Sequence, residues 1–256
     1  MAADYLRGST FDGPPVAAST GYNWTGFYVG GQYGYTGTDF DPTQATRGLT
    51  ATMVRALAVE NEFHVSELPK LRKADARAGS YGGFIGYNAQ WGDVVLGLEG
   101  NYSHTDMTIS TNDSIGRSMT LSSGLRDDVF LTSNATARLT DYGTIRARAG
   151  YAAGWIMPYG FVGLAIGRFD YTRAVSVSIV ETDNSTTPPT IGTLNDSQSE
   201  SKHGAMTIGY TAGAGVDIGL LPGVFLRGEY EFIQLGRVAG ISMTINTFRA
   251  GAGVKF

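Results

Sequence analysis

The chain contains no cysteine. This excludes disulfides, zinc–thiolate and iron–sulfur centres, and a thiol nucleophile. Charge is scarce as well. Only 16% of residues are Asp, Glu, Lys or Arg, against roughly a quarter in an average soluble domain. The net charge of -4 gives no basic surface for nucleic acid. Long hydrophobic runs are missing: no stretch approaches the ~18 apolar residues that a spanning helix requires. The opening residues, M-A-A-D-Y-L-R-G-S-T, lack the apolar core of a signal peptide. Either the protein is cytosolic, or a signal has been removed ahead of this sequence. The three histidines, His64, His104 and His203, are isolated from one another, without metal-ligand spacing, so no metal or other cofactor is expected.

What is abundant is glycine and tyrosine, 36 and 14 of 256 residues, in a chain of mean hydropathy -0.08. The last stretch shows how they are used. Between Met243 and Phe256, the apolar residues Phe248, Ala250, Ala252, Val254 and Phe256 alternate with Thr247, Arg249, Gly251, Gly253 and Lys255. A strand places these sets on opposite faces. Alternation of this kind beside glycine is the pattern of a membrane-spanning β-strand, apolar toward lipid and polar toward a lumen.

Seven more segments repeat the pattern: Asn23–Asp39, Arg77–Gln90, Val94–Thr108, Ala137–Tyr151, Met157–Arg173, Ala205–Gly219 and Val224–Ile233. In the fifth, Val162, Leu164 and Ile166 are expected toward lipid although Tyr159, Phe161 and Phe169 lie on the other parity. Connections alternate between long and short. Phe40–Asp75, Ile109–Thr136 and Ala174–Gly204 read as polar loops, the first with a short helix in the run Leu49–Glu60. Gly92-Asp93, Ala152–Ile156 and Leu220–Gly223 read as tight turns. The expected fold is therefore all-β: an eight-stranded antiparallel transmembrane β-barrel over residues 23–256, with long extracellular loops and short periplasmic turns. Closure removes every strand edge from lipid. Residues 1–22, with Pro14 and Pro15, read as a flexible periplasmic arm.

The minority face carries Gln32, Glu99, Arg146, Arg148, Arg227, Glu229, Glu231 and Arg249, with Tyr28 among them. A soluble barrel buries its apolar face inward; seven charges inside suit instead a lumen filled by a hydrogen-bonded ion network. Eight strands leave an interior just wide enough for side chains, so a plugged lumen is favoured over a diffusion pore. Lys70, Arg72, Lys73 and Arg77 form a basic group in and after the first loop, read either as a solvated loop or as a patch for lipopolysaccharide and other anionic headgroups.

Three segments also resemble a known family: N-W-T-G-F-Y-V-G-G at Asn23–Gly31, G-T-I-R-A-R-A-G-Y at Gly143–Tyr151 followed by P-Y-G-F-V-G at Pro158–Gly163, and R-A-G-A-G-V-K-F at Arg249–Phe256. They are similar to the small porin-like outer-membrane β-barrel proteins of alphaproteobacteria, found in rhizobia and related pathogens. The likeness covers the strands and fails in the loops. It implies an abundant structural protein of the cell outer membrane, in contact with its lipid and lipopolysaccharide. It also implies a covalent tie to peptidoglycan at an N-terminal alanine followed by aspartate, here Ala3 and Asp4, or Ala2 if processing differs. The terminal Phe256 resembles the signal read by the outer-membrane assembly machinery. Alternatives carried by the family are passage of small solutes and loop binding of haem or lipopolysaccharide; neither follows from the barrel residues. No catalytic residues are expected. The only histidine pairs worth inspecting, His104 with Ser103 or Ser110, and the acidic pair Asp127-Asp128, read better as rim and loop features.

Overall fold

A computed structural model of the protein describes residues 21–256. Eight antiparallel strands close into a barrel, each paired with the next and the first with the last. They are β1 (Gly26–Asp41), β2 (Ala74–Trp91), β3 (Val94–Thr120), β4 (Arg126–Tyr151), β5 (Ile156–Asp183), β6 (Thr190–Leu221), β7 (Val224–Leu235) and β8 (Ser242–Lys255). The tight turns after β2, β4 and β6 share one end with Gly21 and Phe256. Gly92 (φ +59°) and Gly223 (φ +83°) supply the left-handed conformation two of these turns need. The other end carries the long excursions. In a barrel of this type the turn end is periplasmic and the long end extracellular.

The alternation sets the wall as expected. Val162, Leu164 and Ile166 are exposed on the outer face of β5, while Tyr159, Phe161 and Phe169 are buried inside. On β3 the outward apolar set runs from Val94 to Tyr102, close to the ~9–11 residues that a tilted strand needs to cross a bilayer. Aromatic residues ring the belt at both edges: Phe27, Tyr87, Trp91 and Tyr151 near the turns, Tyr35, Tyr81, Tyr102, Tyr210 and Phe248 at the far edge, all exposed.

Two of the three expected loops are not loops. Ile109–Thr136 and Ala174–Gly204 are mostly strand. β3, β4, β5 and β6 reach 27, 26, 28 and 32 residues and stand above the membrane belt as two long hairpins. The reason is an inversion of the same two-residue code. Above Tyr102 and Ile166 the outward positions become His104, Asp106, Arg168 and Thr172, and the inward ones become Met107, Ile109, Val175, Val177 and Ile179. Below that level the barrel faces oil and hides polarity; above it, the sheet faces water and hides oil. The register shifts near the crossover, at His104/Met107, Leu139/Asp141 and Phe169/Tyr171, where β-bulges bend the strands.

The first excursion is folded, but differently from a single helix over Leu49–Glu60. It contains α1 (Arg47–Val54), α2 (Ala58–Phe63) and a 3-10 turn (Val65–Glu67), broken where Leu57 is extended. The break lets Val54, Val59 and Val65 all turn toward the inner face of the hairpins, where they bury against Leu121, Val129, Leu131, Val175, Val177 and Ile179. The arm expected over 1–22 lies outside the described residues except for Gly21 and Tyr22. Tyr22 is buried at the turn end against Trp24, and its backbone N–H donates to the Gly154 carbonyl at 3.2 Å.

Candidate functional site

The lumen is the chemically distinctive part of the molecule. Cross-strand register builds it: Glu99 lies opposite Arg146, Asp217 opposite Arg227, and Glu229 opposite Arg249. All point inward, so each strand pair brings one carboxylate to one guanidinium. Arg146 donates to Glu229 at 2.8 Å and to Glu231 at 3.2 Å, and forms a further ion pair with Glu99. Arg148 reaches Glu99 at 3.0 Å and Asp217 at 2.6 Å. Arg227 reaches Glu99 and Asp217, both at 2.8 Å. Arg249 pairs with Glu229 at 3.0 Å and also with Glu231. Four arginines thus meet four carboxylates, all buried, and the set carries no net charge. That balance matters because an unpaired ion in a narrow lumen loses hydration with nothing in return.

The guanidinium planes also lie on aromatic rings: Arg148 over Tyr159 at 3.8 Å, Arg227 over Phe84 at 4.0 Å and Arg146 over Phe161 at 4.1 Å. Tyr28 donates to Glu99 at 2.6 Å and Tyr159 to Glu229 at 2.7 Å. Inward glycines make this filling fit. A Cβ on Gly163 would press within 2.8 Å of the Arg146 Cβ, and one on Gly215 within 2.6 Å of the Tyr159 hydroxyl.

Gln32, Asn101 and Ser103 form an amide–hydroxyl layer beside the charges, with Gln32 donating to Asn101 at 2.9 Å. Arg249 joins it by donating to the same Asn101 oxygen at 2.9 Å. On the extracellular side follow hydroxyls, with Thr36 donating to Ser80 at 2.9 Å and lying 3.1 Å from Thr247 and 3.2 Å from Tyr142. Next comes an apolar layer that includes Phe40, Met107, Phe169, Ile233 and Ile245, and then the helical cap. On the turn side the lumen ends in Trp24, Tyr28, Phe84 and Phe225.

The structure thus brings together Gln32, Glu99, Arg146, Arg148, Arg227, Glu229, Glu231 and Arg249. It adds Asp217, absent from the charges expected on the inward face. Its signal was parity with Thr207 and Thr211. Lys73 pairs with Asp41 at 2.9 Å, the Lys70 backbone N–H bonds Asp113, and Arg77 stands on the outer wall of β2 near Asp39 and Asp75. In solvent outside the membrane, burial opposes ionisation of Asp41, but bonds from Lys73 and Thr43 outweigh it and hold the carboxyl below its usual range. Ala2, Ala3 and Asp4 lie outside the described residues. Phe256 is exposed at the turn end, its N–H donating to the Phe27 carbonyl at 2.8 Å.

The pairs singled out for reaction chemistry are split by the fold. Ser103 faces the lumen, whereas the ring of His104 bonds Asp141 at 2.9 Å on the outer side. Ser110 bonds Thr136. Asp127 is buried inside the extracellular sheet, while Asp128 bonds Ser118 and Arg126 outside. Among the described residues no three His, Asp or Glu side chains gather as a metal site.

Comparison with known proteins agrees with this architecture. A family model described as outer membrane protein beta-barrel domain matches residues 13–256. The chain is homologous to the 25 kDa outer-membrane immunogenic protein of Brucella ovis, 24% identical over 256 residues covering all of this chain and 90% of the relative. It is likewise homologous to the 31 kDa outer-membrane immunogenic protein of Brucella melitensis, 27% identical over 271 residues covering all of this chain and 93% of the relative. Among solved structures, Neisserial surface protein A aligns over 91% of this chain and 98% of its own, at 15% identity and a TM-score of 0.40.

Proposed function

Since the chain belongs to the outer membrane protein β-barrel domain family, and sits in the outer membrane, we propose that it is a non-conducting structural barrel that supports the envelope and ties the outer membrane to peptidoglycan through its N-terminus. The observation that carries this reading is the lumen. Charge-neutral ion pairs cross it at mid-height, apolar layers close it above and below, and α1 and α2 cover the extracellular end. Such an interior stabilises a wall rather than a path for solutes. The tie itself rests on the resemblance at Ala2, Ala3 and Asp4. Twenty residues precede Gly21, a length whose extended reach is some tens of ångströms at ~3.3 Å per residue. Gly21 stands at the periplasmic end of the barrel, beside Gly154, on the side where the wall lies. Phe256, at the same end, is proposed as the assembly signal. The relatives are named for being immunogenic at the outer membrane, and the tall hairpins of this chain stand on the extracellular side.

The test is mass spectrometry of protein released from native envelopes by lysozyme. A muropeptide on the N-terminal alanine is the expected result. A free amine on every molecule would end the tether and leave the barrel untouched.

A further inference from the structure

The lipid-facing wall carries a groove that the barrel's own packing does not require. Across β2 to β4 the outward positions at mid-height include Gly83, Gly100 and Gly143, set diagonally: Tyr102 is the register partner of Gly83 and Gly143, and Ile85 and Ile145 are those of Gly100. A Cβ on Gly100 would meet only Ile85, at 3.9 Å. At Gly100 glycine weakens a strand without easing any contact, whereas a Cβ on Gly83 or Gly143 would press a backbone carbonyl at 3.1 or 3.3 Å. The three together leave a hollow of about 730 Å³ between walls of Ile85, Tyr102, Ile166 and Ile208. Lipid tails are as apolar as these walls, so simple hydrophobicity selects no occupant; shape and a polar anchor must do so.

The anchor stands at the groove's extracellular end. Arg168 is two residues above Ile166 on the same face, exposed, and opposite Asp141 in register. The carboxylates on β3, β4 and β5 just beyond the belt are each already supplied with donors. Asp106 takes two bonds from Arg138, at 2.7 and 2.9 Å. Asp141 takes the Tyr102 hydroxyl at 2.6 Å and the His104 ring at 2.9 Å. Asp170 takes the Gly204 N–H at 2.7 Å and lies 3.5 Å from His203. Among the described residues the Arg168 guanidinium makes no ion pair or side-chain hydrogen bond. A free guanidinium at headgroup height, above an empty acyl-sized groove, is complementary to a phosphate with a hydrocarbon chain beneath it. A second copy of the barrel fits less well. Two-fold pairing sets the same patch on itself, hollow against hollow and arginine against arginine.

We propose that this wall holds one phosphorylated, multiply acylated lipid of the outer leaflet, of the lipid A class, with an acyl chain on the glycine floor and a phosphate on Arg168. The site is distinct from the Lys70–Arg77 group. It is tested by native mass spectrometry of the full chain, released from nanodiscs containing either lipid A, lipid A stripped of its phosphates, or phosphatidylglycerol. Wild type should retain one lipid A. R168Q should retain about tenfold less, the worth of a charge-assisted bond. Gly100→Leu, which fills the groove and leaves the arginine, should lose retention too, while R77Q should match wild type. Heat-dependent gel mobility reports that each variant is folded. Equal retention by R168Q and wild type, equal retention of the dephosphorylated lipid, preference for phosphatidylglycerol, or a lipid-free dimer in place of the complex would each overturn the proposal.

Discussion

At the scale of the residue, Glu99 has the largest share of the lumen. Its carboxylate meets Arg146, Arg148 and Arg227 and accepts from Tyr28. Neutralising it leaves four buried guanidiniums facing three carboxylates. Glu99→Gln should therefore cost ~3–5 kcal/mol, the usual effect of orphaning a buried ion, read from urea unfolding in lipid vesicles. Glu200→Gln is the counterpart outside the membrane. Glu200 pairs with Arg173 while its side chain stays 41% exposed, so the loss should be under ~1 kcal/mol. Asp127 behaves in the opposite sense. Burial, then the nearby Glu181 and Asp128, push its carboxyl above the usual range, and Oδ1 has no partner. A group with a raised folded pKa holds its proton more tightly in the folded state, so ionisation costs stability as pH rises. Asp127→Asn should stabilise the β3–β4 tip at pH 7, and the gain should vanish as pH falls below the ordinary carboxylate range. Hydrogen exchange of that tip at two pH values measures it; a gain that persists unchanged in acid would contradict the assignment.

At the scale of the element, the four long strands divide into a membrane half and a soluble half. Leu131 lies wholly in the soluble half, buried against the helical cap. Leu131→Ala should cost ~2–5 kcal/mol through transfer and cavity, and the loss should be local. Hydrogen exchange should quicken over the hairpins and α1–α2, while the belt from Val94 to Tyr102 stays protected. Uniform loss along β4 would mean that the halves unfold together. The membrane half was legible in the sequence because apolar-out alternation and glycine turns are strong over short windows. The soluble half was not. Ser, Thr and Asn between Ile109 and Thr136 have the composition of a loop, and the alternation there runs with the opposite sense: Val129 and Leu131 inward, Thr132 and Asn134 outward. Only a reading that lets the code invert at the membrane edge recovers it. Likewise the inward charges could be listed from parity, but their partners depend on register. Asp217 shows this: it meets Arg148 from a strand that is not a neighbour of β4. The partners of Lys70 and Lys73 were hidden for the same reason, since Asp113 and Asp41 arrive from β3 and β1.

At the scale of the whole molecule, the layers along the axis act as stoppers in series. Among the described residues an aromatic floor, four neutralised arginines, a hydroxyl layer, an apolar plug and a helical cap follow one another along the axis, the order on which the proposed closed lumen rests. Removing one stopper leaves the others, so Glu229→Ala should lower stability well before it opens a channel. The direct measurement is planar-bilayer recording of the wild-type barrel across a range of voltages. A flat trace, or rare small events, is the result expected of a closed structural barrel. A steady, reproducible single-channel current from wild-type monomers would contradict it.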